Sequence, residues 1–297
     1  MVVFVTSLRH PHNARNFRHV ETIFERSVRS VCSQIDPEFR VVVVSNVKPQ
    51  IGFDDPRIIY HVVDYPPPSA AAGPVPSSEA RWRDKGTKLL AGMLLAREFA
   101  PRGFAIFDSD DVVSRRLAGL VNGTPTPAGW YIDHGYAVNC RTWTARRQSG
   151  MVRYCGTTLI PNADVLLGLA NLKPGLHAHS THQELLDGLT PFYNTHIIGS
   201  HFYMLQYFAA RGLHLRRVPF RAVGWMQETG ENSLLNTGIA TGLPLNRAFC
   251  EEFGLDPALA RDARPSPLDR LRESAHAWLS FAGATRARII GYPAPPE

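Results

Sequence analysis

The run Phe39-Arg-Val-Val-Val-Val-Ser45 constrains this chain more than any other segment. A near-continuous β-branched stretch offers no polar face to water, so it must be a strand covered on both sides, as strands are inside a parallel sheet layered by helices. Its neighbours agree. Val2 to Ser7 is a short apolar strand, and Phe17 to Cys32 places Val20, Ile23, Phe24, Val28 and Val31 at near-helical spacing. Ile58 to Val63 predicts a third strand. A helix from about Lys85 to Phe99, with Leu89, Leu90, Met93 and Leu94 on its buried side, leads into the apolar run Phe104-Ala-Ile-Phe107. Strands alternating with helices predict an α/β fold, a mostly parallel sheet with helices on both faces, and such sheets collect ligands at the carboxyl ends of their strands. With 297 residues, 44% of them hydrophobic, the chain can bury a substantial core, and a single domain is expected. It divides into a first half (1–115), a second half (116–263) and a helical tail (264–297).

At the end of the fourth predicted strand stand Asp108-Ser-Asp-Asp111. In an extended chain Asp108 and Asp110 point the same way, about 7 Å apart, with Ser109 on the opposite side. Three uncompensated carboxylates at a sheet edge repel one another, and a Mg²⁺ or Mn²⁺ ion shared with a substrate diphosphate relieves that repulsion. The competing reading is an Asp-rich turn that caps a following helix.

Several classes are excluded. The segment after the first strand, Ser7-Leu-Arg-His-Pro-His-Asn-Ala-Arg-Asn16, has no glycine. Dinucleotide fingerprints, P-loops and the Gly-rich loop of sugar nucleotidyltransferases all need one there, so that backbone can approach phosphate. Cys32, Cys140, Cys155 and Cys250 lie far apart without C-x-x-C spacing, which argues for small core residues over a zinc site or a disulfide framework. The net charge of +6 attracts anions, but the arginines are scattered without interleaved aromatics, which argues against nucleic acid. The first residues read as a strand and not as a signal peptide, and no apolar run reaches membrane-spanning length; a cytoplasmic protein is expected.

The order of elements resembles the GT-A class of nucleotide-sugar glycosyltransferases, in particular its family-2-like members. The likeness is carried by Ser27-Val28, Ser30-Val31, Gln34, Phe39-Arg-Val-Val-Val-Val-Ser-Asn46 and the D-x-D-like Asp108-Ser-Asp110. It covers the first half well and the second half loosely. It implies a GT-A-like, Rossmann-type fold and a metal-dependent enzyme moving a sugar from a UDP-, GDP- or dTDP-sugar to a glycan, lipid-linked or small-molecule hydroxyl acceptor. Mn²⁺ or Mg²⁺ would sit on Asp108, Asp110 and Asp111. The donor would lie near Thr6, Ser7, Arg9 and Ser109. In Glu79-Ala-Arg-Trp-Arg-Asp-Lys85, Arg81 and Lys85 would reach the nucleotide or diphosphate, and Asp84 a sugar or ribose hydroxyl. That run is also loosely similar to bacterial rhamnosyltransferases. The alternative for it is a helix N-terminus capped by Asp84 among exposed basic residues.

Family-2-like enzymes carry a Glu-Asp pair in the second half, before a Gly and a strand ending in Val-Pro. Here Ser200-His201 stands in the matching context ahead of Gly212 and Arg217-Val-Pro219. His201 could be the base, a metal ligand or a buried structural histidine. Glu184 or Asp187, in Thr181-His-Gln-Glu-Leu-Leu-Asp187, could be the base instead. The run His177-x-His179-x-x-His182 reads as a solvated loop, and Pro66 to Ser78 as an exposed loop or lid. Asp133-His134-Gly135, Gly156-Thr-Thr158 and Trp225 are further candidates for lining the pocket. Helix is predicted over Ser200 to Arg211, and strands over Gly129 to Asp133, Thr157 to Pro161 and Leu213 to Pro219. The tail helix carries Leu268, Leu271, Ala275, Trp278, Leu279 and Phe281 among arginines, and is expected to pack on its own domain, with peripheral contact at an anionic membrane surface as the alternative. Two rival functions are a metal-dependent phosphoryl or nucleotidyl transferase, and a nucleotide-sugar-binding domain that has lost its base.

Overall fold

A computed structural model describes residues 1–75, 77–231, 242–261 and 266–290. The predicted α/β architecture is present. Strands β1 (Val2–Ser7), β2 (Phe39–Ser45), β3 (Ile58–Val62) and β4 (Gly103–Ile106) form one sheet in the order β3-β2-β1-β4, every pair parallel. Alternation along the strands divides the core. Val3, Val5, Val42 and Val44 face helix α2 (Ser78–Ala96) with its Leu89, Leu90 and Met93. Val2, Phe4, Val41 and Val43 face helix α1 (Phe17–Cys32) with its Phe24, Val28 and Val31. Each of these side chains gains about 1.5–3 kcal/mol from leaving water, which is why the valine run cannot be anything but an internal strand.

Helix α2 begins well before the predicted start. Ser77 is its N-cap, accepting from the Ala80 N–H at 3.3 Å, so Arg81, Asp84 and Lys85 ride on its first two turns, and the cap is Ser77, not Asp84. In the Pro-rich stretch before it the described residues, 66–75 and 77, form no regular structure, yet the stretch is tied down. Buried Asn13 donates through Nδ2 to the carbonyls of Ala71 and Gly73 at 3.0 and 3.1 Å.

The second half is mixed. Strands β5 (Val112–Val113), β6 (Gly129–Tyr131), β7 (His134–Asn139), β8 (Thr144–Ser149), β9 (Leu159–Pro161), β10 (Arg216–Arg217), β11 (Val223–Gln227) and β12 (Leu243–Pro244) build two sheets, ordered β12-β8-β7-β11-β5 and β10-β6-β9. The three that the sequence predicts, β6, β9 and β10, are shorter than expected, and the other five were not predicted. The expected helix over Ser200 to Arg211 is also shorter. A π-helix (Tyr193–Ile198) precedes it, helix α6 holds only Met204–Ala209, and His201 lies in the bend between them. Among the described residues the remaining α-helices are α3 (Leu117–Gly123), α4 (Ala163–Ala170), α5 (His182–Asp187), α7 (Arg247–Glu252) and α8 (Pro267–Ile290). Among the described residues no helix is long and apolar enough to cross a membrane. All four cysteines are free; three are buried.

Candidate functional site

The carboxyl ends of β1 and β4, the first turns of α2 and the bend at His201 enclose a cleft of about 610 Å³. Its acidic wall differs from the predicted geometry. β4 ends at Ile106, and Asp108 to Asp111 form a turn closed by the Asp111 N–H donating to the Asp108 carbonyl at 3.1 Å. The turn leads into strand β5 and caps no helix. Because the backbone turns here, Ser109 shares the cleft wall with Asp108 and Asp110 and does not face away from them.

The three acids have separate fates. Asp108 pairs with Lys85 Nζ and accepts the Gly156 N–H at 3.1 Å, while its own N–H donates to Thr157 Oγ1 at 2.9 Å. A Cβ on Gly156 would come within 2.9 Å of Asp108 Cγ, so only glycine lets that backbone reach the carboxylate. Burial alone would raise the Asp108 carboxyl; the Lys85 ammonium outweighs it and holds Asp108 below the usual range. Burial likewise opposes the charge on Lys85, and Asp108 overrides that, lifting Lys85 above the ordinary lysine range. Asp110 is left with the consequence: burial and the neighbouring Asp108 charge push its carboxyl up to about 6.

Asp111 is only 1% exposed and is spent on the fold. Its Oδ1 accepts from Met226 N at 3.0 Å, and its Oδ2 from Thr157 Oγ1 at 2.6 Å and Cys155 Sγ at 3.0 Å. Burial and the charges of Asp110 and Asp108 push this carboxyl well above its usual range, and the Cys155 and Thr157 bonds partly counter them. At 1% exposure and with both oxygens held by three donors of the fold, Asp111 does not fit the expected role of metal ligand; Asp108, although bonded to Lys85 and the Gly156 N–H, keeps a side chain 32% exposed on the cleft wall. Cys155, expected to be filler, is one of its donors.

His201 lies on the cleft wall. Burial pushes its imidazole down to about 4 against the pull of Asp108, so it is neutral at pH 7, and its buried Nε2 has no hydrogen-bond partner among the described residues. The two rival base candidates lie elsewhere. Glu184 is exposed and closes a capping box on α5, accepting the Thr181 N–H at 2.7 Å; Asp187, also exposed, accepts from Gln183 Nε2 at 2.9 Å. Neither lines the cleft, because helix capping and surface pairing have claimed them.

Of the expected donor contacts, Ser7, Arg9, Arg81, Asp84, Lys85 and Ser109 line the cleft. Thr6 does not: it is fully buried, its hydroxyl donating to the Phe107 carbonyl at 2.7 Å to join β1 to the turn. Asp84 pairs with the buried Lys88 at 3.0 Å, and Lys88 also donates to the Leu8 carbonyl at 3.2 Å, which fixes the loop after β1 against α2. Burial holds Lys88 below the usual lysine range. His134 is not in the cleft wall; its Nδ1 lies 3.0 Å from Ser149 Oγ.

Three features were not legible beforehand. Glu231 forms an ion pair with Arg9, whose Nη2 also donates to the Glu231 carbonyl at 2.8 Å, and its Oε1 accepts from Asn16 N at 3.1 Å. Tyr154 stacks on Trp225 at 5.7 Å between ring centroids, and both rings line the cleft. Trp82 and Phe202, which also line it, meet edge to face at 5.8 Å. Of these residues only Arg9 and Trp225 were named as pocket candidates, and the long sequence separations hid the pairings.

The residues present fit a divalent cation on Asp108 and Asp110: two carboxylates on one cleft wall, the Asp110 carboxyl raised first by burial and then by the Asp108 charge, which a cation there would offset. Among the described residues no cluster of three or more His, Cys, Asp or Glu side chains is arranged for a metal, so any such ion would draw its remaining ligands from substrate or water.

No protein-family model matches the chain, and a comparison with curated proteins finds no match. Among solved structures, the crystal structure of S. aureus TarS is similar at 11% identity and a TM-score of 0.30, over 76% of this chain and 36% of that one. The chain thus spans little more than a third of TarS, and a likeness at that score carries no argument.

Proposed function

We propose that the cleft binds a nucleoside-diphosphate sugar and transfers its sugar to a hydroxyl acceptor, with Asp108 and Asp110 holding Mg²⁺ or Mn²⁺. The observation that carries this reading is the convergence of Asp108, Asp110, Lys85 and His201 at the carboxyl edge of a parallel sheet, in a cleft that also presents Arg9 and Arg81. When bound, the cation supplies Lewis-acid neutralisation of diphosphate oxygens.

The chain's own groups do the rest. Arg81, on the first turn of α2, offers positive charge to the departing diphosphate, and Lys85 sits one turn further in. Arg9 is held in place by Glu231 and faces the same space. The Tyr154–Trp225 pair gives a sugar an apolar face to rest on. His201, neutral and with an Nε2 that has no partner among the described residues, is the group that can accept the acceptor hydroxyl's proton, and Asp108 stabilises the imidazolium that results.

One observation favours a second reading. A histidine held near 4 is a weak base, which suits a domain that binds an activated sugar without turning it over. A thermal-shift panel of UDP, GDP, dTDP and their sugars, each with and without Mn²⁺, tests the proposal. Stabilisation by one nucleotide only in the presence of metal, followed by release of that nucleoside diphosphate from its sugar, is expected. Stabilisation without release selects the binding domain; consumption of a nucleoside triphosphate selects phosphoryl or nucleotidyl transfer. No shift with any of these nucleotides in either condition overturns the first two readings.

A further inference from the structure

Helix α8 packs on the protein with its polar side. Strand β8 is paired on one side by β7, and on the other only Thr144 and Ala145 are covered, by the two-residue β12. The rest of that edge presents backbone N–H groups that need acceptors. Helix α8 supplies them from side chains: Glu273 Oε1 accepts from Arg147 N at 3.2 Å, and Ser280 Oγ from Ser149 N at 2.6 Å, while His276 Nε2 lies 3.5 Å from Gln148 Oε1. Glu273 further pairs with the Arg147 guanidinium at 3.7 Å. Positions 273, 276 and 280 form one stripe of the helix.

Using that stripe to cover a sheet edge turns the apolar stripe outward. Leu268, Leu271, Ala275, Trp278 and Leu279 recur at helical spacing, and their mean direction lies roughly 140° around the axis from the packed stripe. Leu268 is 53% exposed, Leu271 66%, Trp278 69% and Leu279 61%. The sequence expectation that this helix packs on its own domain is met, but not by the residues that suggested it.

We propose that this outward stripe seats on the surface of an anionic phospholipid bilayer. Charge selects that occupant. The sequence of α8 holds four arginines (Arg270, Arg272, Arg286 and Arg288) against two acids, Asp269 and Glu273, and Glu273 is engaged by Arg147. The whole chain carries +6. A Trp and Leu face on an arginine-rich helix is the composition that lies in a headgroup layer, the apolar face among acyl chains and the cations at phosphates. A second copy of the chain would bring two such cationic helices together, which repels. The helix is too polar to span the bilayer, so the contact is peripheral.

The test is co-sedimentation of the full chain with vesicles of phosphatidylcholine alone and of phosphatidylcholine with phosphatidylglycerol. Binding to the anionic vesicles only, weakened by high salt, is expected. The double variant Leu271→Gln with Trp278→Gln is expected to lower the bound fraction about tenfold or more with an unchanged melting temperature, since both positions are exposed. Leu268→Gln with Leu279→Gln repeats the test on the same stripe should the first variant lose stability. Failure of the native chain to pellet with anionic vesicles overturns the proposal, as does equal binding to both vesicle types. A concentration-dependent dimer in light scattering that these variants abolish overturns it too, and assigns the face to a second copy.

Discussion

Asp110 and His201 share a cleft but respond to pH in opposite senses. The Asp110 carboxyl is raised from 3.8 to about 6, so the folded state binds its proton more tightly than the unfolded chain does; its contribution is full below pH 3.8 and is lost as pH rises through 6. His201 is lowered from 6.5 to about 4; its contribution is full above pH 6.5 and is lost as pH falls through 4. In metal-free protein kept in chelator, Asp110→Asn is therefore expected to raise the melting temperature at pH 8 by a few degrees and to change it little at pH 4. His201→Gln is expected to flatten the loss of stability between pH 6.5 and 4. Calorimetric scans across that range check both, and a lower melting temperature for Asp110→Asn at pH 8 would contradict the electrostatic account. On the functional reading, Asp110→Asn also abolishes transfer while the fold survives; undiminished turnover at saturating metal would remove Asp110 from the site.

The site depends on how closely α2 and the segment after the π-helix approach. A Cβ on Gly199 would come within 2.7 Å of the Trp82 carbonyl carbon and 3.0 Å of the Thr195 carbonyl oxygen. Gly199→Ala is expected to cost about 1–3 kcal/mol in urea unfolding, because backbone and not a flexible side chain must give way. It should also displace His201, two residues on, and weaken nucleotide-dependent stabilisation beyond what the loss of stability accounts for. Elements of this kind mark the limit of what the sequence shows. The valine run and the amphipathic α1 were legible because burial imposes a local period on each of them; the acidic run stood out by composition, but its turn did not, since a turn has no period. The start of α2 was missed because Pro and Ser around residues 74–78 read as loop, although Ser77 is a sound N-cap. Glu184 looked like a base because an acid near histidines invites one; a capping box uses the same residue for a local purpose. The partners of Arg9 and Trp225 could not be read, since Glu231 and Tyr154 reach them only through tertiary contacts.

For the molecule as a whole, the acidic turn is the junction between its sheets. Asp111 takes Met226 N from β11 and Thr157 and Cys155 from the segment before β9, and its own carbonyl accepts from Ser27 Oγ on α1. Asp111→Ala would leave several buried donors unsatisfied and is expected to destabilise the protein by about 3 kcal/mol or more, in contrast to its neighbour Asp110. Chemical denaturation of the two variants side by side checks that contrast; equal stabilities would show that Asp111 is not the tie described. The same junction bears on synthesis. The N-terminal parallel sheet has all four strands once Ile106 is made, but Met226 emerges 115 residues after Asp111, roughly ten seconds later on a ribosome adding ~5–20 residues per second. Through that interval the nascent chain holds a finished sheet beside an unlocked acid triplet, and the edge of β5 waits for β11, so this protein is most open to mispairing while its second half is still being translated.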